Sequence, residues 1–171
     1  MRHPVNWIAA LYAGVAAGVL ATVAQIALWS IFADALPAIL FRDARFTAAI
    51  VMGRAVLPPP ASFDGRIMLV ATLVHFALSI IYGLSLSWVI ARLRAAPSLL
   101  VGAIFGLAVY GMNMYGFTTI FPWFEATRDW ITIAAHLVFG IAAAGVYKMR
   151  SQLQYVHAHG AKSERWQEAA P

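Results

Sequence analysis

The chain has no cysteine. That absence removes disulfides, thiolate metal sites and cysteine nucleophiles together, and leaves redox compartment unreadable. Charge is scarce as well: charged residues fill 11% of 171 positions, against roughly one quarter in a typical soluble domain. Little polar sequence is left over from which to build a soluble domain. What is present instead is apolar, with 62% hydrophobic residues and a mean hydropathy of +0.75. Runs of about 20 apolar residues mark helices able to cross a bilayer, and four fit, over residues 7–32, 67–90, 98–121 and 130–149.

This patterning predicts an all-α polytopic membrane protein. Residues 1–150 form a four-helix transmembrane bundle with an outer loop over 33–66, and residues 151–171 form a polar cytoplasmic tail. The net charge of +5 does not point to nucleic acid, because the basic residues flank the apolar runs. Arg2 ahead of a long run faintly imitates a signal peptide, but this run is far longer than the usual 7 to 15 apolar residues, about 26 in all, so a retained helix is expected. Lys and Arg number seven on the side holding both termini (Arg2, Arg92, Arg94, Lys148, Arg150, Lys162, Arg165). Five lie opposite, at Arg42, Arg45, Arg54, Arg66 and Arg128. By the positive-inside bias both termini are cytoplasmic.

The first run stops near Asp34 and Pro37. Residues 42–57 then read as an amphipathic helix at the outer interface, with Asp43, Thr47 and Arg54 on one side and Phe46, Ile50 and Leu57 on an apolar arc. A short flap over the bundle fits the same pattern. Pro58, Pro59 and Pro60 force an extended exit. Pro97 suits the first turn of the third span, and Trp123 and Trp130 suit an interfacial belt. His157 and His159 in the tail read as solvated residues rather than a metal site.

The halves of the chain match. Gly14, Gly18, Gln25 and Trp29 correspond to Gly102, Gly106, Asn113 and Phe117 at an offset of 88; His75, Ser79 and Leu86 correspond to His136, Gly140 and Tyr147 at an offset of 61. Each half being two spans, the repeats run in the same direction, as two parallel-repeat helix pairs. Steps of three and four residues put Gly14, Gly18, Thr22, Gln25 and Trp29 on one face, and His75, Ser79, Tyr82 and Leu86 on another. The glycines Gly14, Gly18, Gly102 and Gly106 are helix-packing candidates, since small residues let backbones approach. At about 1.5 Å per residue, Gln25, His75, Asn113 and His136 all fall roughly 9 to 13 Å below the outer helix ends. Lipid offers them no hydrogen bond, so they should converge inside the bundle.

That layer has several readings. Interhelical glue is one, each contact being worth about 0.6 to 2 kcal/mol. A ligand site is another, and its sharpest form is a b-type haem held by His75 and His136, with Gly18 and Gly106 leaving room for the ring edge. A quinone, a small polar solute and a proton relay also stay open. An outer vestibule formed by Asp64, Arg66, Glu125, Arg128 and Asp129 is set against simple surface ion pairs. Tyr82, Tyr110, Tyr115, Met68, Met112 and Met114 read as packing. Nucleophilic hydrolysis has no support, because no serine sits in a nucleophile elbow and no intramembrane carboxylate accompanies the histidines, and enzyme activity stays unproven. Partners are the lipid bilayer and, through the small-residue surface, a homo-oligomer or a larger membrane complex in which the chain is a structural or accessory subunit.

The glycine-rich first span, "HFALSIIYG", "LLVGAIFG", "FPWF" and "AAHLVFG" resemble the YagU-type family of small bacterial inner-membrane proteins over most of residues 11–145. The resemblance implies four spans in the bacterial inner membrane and carries over no catalytic residue. The loop "RDARFTAAIVMGRAVLPPP" is similar to that of small proteins labelled sodium:proline symporters, although four spans lack the length and broken helices of such a fold. The orientation is checked by fusing a fluorescent reporter and a periplasm-dependent phosphatase to the C-terminus in turn. Fluorescence without phosphatase activity is expected, and the converse would invert the topology.

Overall fold

Backbone amides in hydrocarbon have no solvent partner, so each apolar run must close its hydrogen bonds within a helix. The computed structural model describes residues 5–33 and 35–168, with side chains through Gln154, and is helical with no strand among the described residues. Its helices are α1 (Trp7–Phe32), α2 (Ala38–Met52), α3 (Gly65–Ile90), α4 (Ala95–Gly111) and α5 (Trp130–Glu168). A π-helical turn, Met112–Gly116, extends α4, and 3₁₀ turns at Phe117–Thr119 and Pro122–Thr127 lead into α5. Four candidate spans of 26, 26, 25 and 25 residues result. At about 1.5 Å per residue each exceeds a hydrocarbon core about 30 Å thick. The chain is a multi-pass, four-helix membrane protein.

Short polar side chains start the helices. The Asn6 side chain accepts from the Ala9 amide at 3.0 Å, Asp64 accepts from Arg66 and Ile67 at 2.9 and 3.1 Å, and Asp129 accepts from Thr132 at 2.8 Å. These bonds satisfy first-turn N–H groups that have no partner within the helix. Asp34, His157 and His159 lie outside the described residues or side chains.

Several boundaries differ from the sequence reading. α2 starts and ends earlier than 42–57, because Gly53 at φ 79° breaks it and a separate 3₁₀ turn, Arg54–Val56, follows. The third span loses α geometry at Met112. α5 does not end at Met149: its backbone stays helical to Glu168, with no proline along it to interrupt the hydrogen-bond ladder. α2 is also more than a surface helix. Ala44 and Ala48 pack on Ile67 and Ala71 of α3, and the buried Arg45 guanidinium donates to the carbonyls of Val56 and Ser62, both at 3.2 Å, pinning the loop beneath it.

α5 makes the broadest contacts, with α1 on one side and α4 on the other; α1 also packs on α3, while α3 and α4 barely touch. Where these helices meet, α1 contributes small residues to the core: Ala9, Ala10, Ala13, Ala17 and Ala21 face Leu86, Ile90, Phe139, Ala143, Ala144 and Tyr147. Large apolar side chains point outward instead, among them Val23, Leu73, Trp88, Leu100 and Ile104. Small residues inside and large apolar ones outside suit a bundle whose solvent is lipid.

The α3–α4 turn is held from α5. Lys148 Nζ donates to the carbonyls of Ile90, Ala91 and Leu93 at 2.7, 3.3 and 2.6 Å, satisfying the end of α3 with a cation where the helix dipole favours one. Replacing Lys148 with Met keeps the aliphatic stem and deletes all three bonds. A loss of about 1 to 2 kcal/mol is expected, read as a lower melting midpoint in detergent; an unchanged midpoint would show that the cap carries no net stability.

Candidate functional site

Glycines decide where the polar layer forms. A Cβ built on Gly14 would sit 2.7 Å from the Ser79 carbonyl, and one on Gly18 would meet Ser79 Oγ at 2.8 Å and His75 Nε2 at 3.3 Å. On the other side, Cβ atoms on Gly102 and Gly140 would strike each other's carbonyl oxygens, and one on Gly106 would strike the His136 carbonyl. The two crossings pair the residues related by offsets of 88 and 61: Gly14 with Ser79 and Gly102 with Gly140, Gly18 with His75 and Gly106 with His136. The four glycines are therefore filled by the facing helix. None leaves the ring-edge space that a haem between the histidines would use.

Just outward of these crossings the helices diverge around a cavity of about 310 Å³. Gln25, His75, Asn113 and His136 all line it, together with Thr22, Ser79 and Tyr82. Its remaining wall is apolar and rich in aromatic rings, with Phe117, Phe121, Phe124 and Phe139. α2 supplies Thr47 and Ile50 as part of the roof. Two contacts tie that roof down: Trp123 Nε1 donates to the Phe46 carbonyl at 3.0 Å, and Phe46 and Phe124 meet edge-on at 6.2 Å. No lining residue carries a formal charge except through protonation of a histidine.

The hydrogen bonds make the two histidines unlike. His136 Nδ1 lies 2.8 Å from the Thr132 carbonyl, which can only accept, so Nδ1 carries the proton and the Nε2 lone pair faces the Asn113 amide at 3.4 Å. Asn113 Oδ1 in turn accepts from the Tyr82 hydroxyl at 2.8 Å. On the other side Thr22 donates to the Gly18 carbonyl at 2.9 Å. His75 Nε2 lies 3.4 Å from that same carbonyl and 3.2 Å from Thr22 Oγ1, so here Nε2 carries the proton. The acceptor left on His75 is Nδ1. Two axial haem ligands would each present a nitrogen lone pair to one iron; His75 holds Nε2 against α1 and keeps a lone pair on Nδ1 alone, and His136 offers Nε2 only by giving up Asn113. Together with the filled glycines, this arrangement does not fit a bis-histidine haem.

Three lining groups keep hydrogen-bonding capacity toward the cavity. The Gln25 amide and the Ser79 hydroxyl have no hydrogen bond among the described residues, although Ser79 is only 4% exposed, and His75 Nδ1 is likewise without a partner. Asn113 sits in the π-helical turn, a geometry frequent at functional sites because it re-aims a side chain and loosens the backbone ladder.

The outer charged residues do not join this cavity. Asp64 and Asp129 cap helices, and Arg66 and Glu125 are exposed. Arg128 braces the turn after α4: its guanidinium donates to the Met114 carbonyl at 2.6 Å and Thr118 Oγ1 at 2.9 Å, and stacks 4.5 Å over Tyr115. Asp43, on α2, is drawn inward. Burial pushes its carboxyl above the usual carboxylate range and Asp129 adds to this, while the Arg42 guanidinium at 2.8 Å pulls it back.

No family model, no curated protein and no solved structure matches this chain. The site therefore rests on its own geometry. Sequence spacing set Gln25, His75, Asn113 and His136 at one level, and the structure brings them together around one cavity; Tyr82, read as packing, also donates its hydroxyl to Asn113, and its position three residues after Ser79, on the histidine face, was the available signal. The aromatic roof carried no periodic signal, because it comes from 3₁₀ turns. Nitrogen-15 spectra of histidine-labelled protein test the hydrogen-bond scheme: a proton on Nε2 of His75 and on Nδ1 of His136 is expected at neutral pH. The same tautomer at both positions would refute it.

Proposed function

We propose that the chain binds a small uncharged ligand in this intramembrane cavity. The observation that carries the reading is a roofed cavity whose polar groups are all neutral, with the Gln25 amide and the Ser79 hydroxyl left without protein partners. An unsatisfied polar group in a low-dielectric site costs free energy unless an occupant bonds to it. A charged occupant would arrive with no counter-charge, at a desolvation cost of several kcal/mol. The neutral lining selects against ions.

Three further elements belong to the same proposal. The location is the bacterial inner membrane with both termini cytoplasmic, supported by the Lys and Arg asymmetry and by the YagU-type resemblance. The two helix pairs descend from an internal duplication, supported by the matched crossings at offsets of 88 and 61. The activity is binding or passage: hydroxyls and imidazoles line the cavity, but no carboxylate stands beside them to orient or activate them.

The test is recovery of the ligand. Protein purified in mild detergent is extracted with organic solvent, and the extract compared by mass spectrometry with that of Gln25→Met and Asn113→Leu variants of equal helicity. An uncharged compound enriched with the parent protein and depleted at least about tenfold in the variants is expected, the loss of one or two good hydrogen bonds. Equal extracts from equally folded proteins would remove the ligand site and leave the layer as interhelical glue.

A further inference from the structure

We infer that the occupant is a quinone-class ring that reaches the cavity sideways, from the lipid, through the seam between α3 and α4. This rests on the ligand-site reading above and adds both the chemical class and the route. Three observations meet here.

The first is the wall. Aromatic and aliphatic side chains dominate it, so a polyol or another polar solute would lay hydroxyl groups against Phe117, Phe121, Phe124 and Phe139 without partners. A flat ring with polar atoms only on its rim matches such a lining, stacking on phenyl faces while its rim reaches the polar layer.

The second is the polarity of the free groups. The Gln25 amide and the Ser79 hydroxyl can donate to ring carbonyls, while the Gln25 oxygen and His75 Nδ1 can accept from ring hydroxyls. A rim oxygen is therefore served whether it is a carbonyl or a hydroxyl. A quinone and its quinol are one neutral, lipid-soluble ring whose rim oxygens are carbonyls in one state and hydroxyls in the other, and these free groups serve both.

The third is the path. From the outer side the cavity is covered by α2 and by the turn whose Trp123 binds the Phe46 carbonyl. Between α3 and α4, by contrast, contact is sparse, and the Tyr82–Asn113 bond is the one hydrogen bond joining these helices among the described residues. Phe117, directly after the π-helical stretch, both lines the cavity and is 40% exposed. A ring with an isoprenoid tail can enter here with the tail left in lipid, and the Tyr82–Asn113 bond is the latch it must open.

Binding of decyl-benzoquinone and of its quinol to the full chain, in lipid nanodiscs, tests this by calorimetry and by stopped-flow quenching of tryptophan fluorescence. Gln25→Met and Tyr82→Phe are compared with the parent after matched helicity and melting are verified. Saturable binding of both forms is expected, weakened about tenfold by Gln25→Met. Tyr82→Phe is expected to raise association and dissociation rates together. Absence of binding to folded parent protein, or equal affinity in Gln25→Met, overturns the quinone assignment. Unchanged rates in Tyr82→Phe overturn the lateral latch. The two levels fail separately: a different uncharged compound recovered by solvent extraction, dependent on Gln25, refutes the quinone while keeping the ligand site, whereas equal extracts from parent and variants refute both.

Discussion

Where Gly102 meets Gly140, two helix backbones lie closer than any side chain would permit, and a Cβ on either glycine would collide with the other's carbonyl. Lipid supplies no hydrophobic drive to bring helices together, so close van der Waals approach has to do it. The matching contact of Gly14 with Ser79 and Gly83 does the same for α1 and α3. These two crossings set the register of all four spans. They fix the height at which Gln25, His75, Asn113 and His136 appear. The cavity lies beside these crossings, lined by the polar residues that follow on the same helix faces.

Filling such a space with polar groups is a hazard in hydrocarbon, and the structure meets it unevenly. Asn113 and His136 form a directed chain from the Tyr82 hydroxyl to the Thr132 carbonyl, each donor matched to an acceptor. His75 is braced against the backbone of α1 through Gly18 and Thr22. Gln25 and Ser79 are left over. A layer meant only to hold helices together would gain by pairing every member, since a half-satisfied network is worse than an apolar one.

Much of this architecture was legible as periodicity. The first span matches α1 at both ends, and the face Gly14, Gly18, Thr22, Gln25 and Trp29 does turn inward, with Trp29 almost wholly buried. Residues spaced by three and four along a regular helix declare their face without help from the rest of the fold. Other features depend on partners distant in sequence and left no such trace. The π-helical turn around Asn113, the roof made by Thr47 and Ile50 of α2, and the unequal tautomers of His75 and His136 arise only once helices are docked. The charged cluster of Glu125, Arg128 and Asp129 was visible as a cluster; its work, capping α5 and bracing the turn at Met114, follows from backbone groups that the residue types do not reveal.

The neutrality of the cavity lining also bears on energetics across the membrane. One elementary charge carried through the full bilayer couples to the transmembrane potential at about 2.3 kcal/mol per 100 mV. An uncharged molecule moving into a cavity walled by amides, hydroxyls and imidazoles carries none across that field. For the proposed occupant, entry then does no electrical work, and the transmembrane potential does not bias its binding.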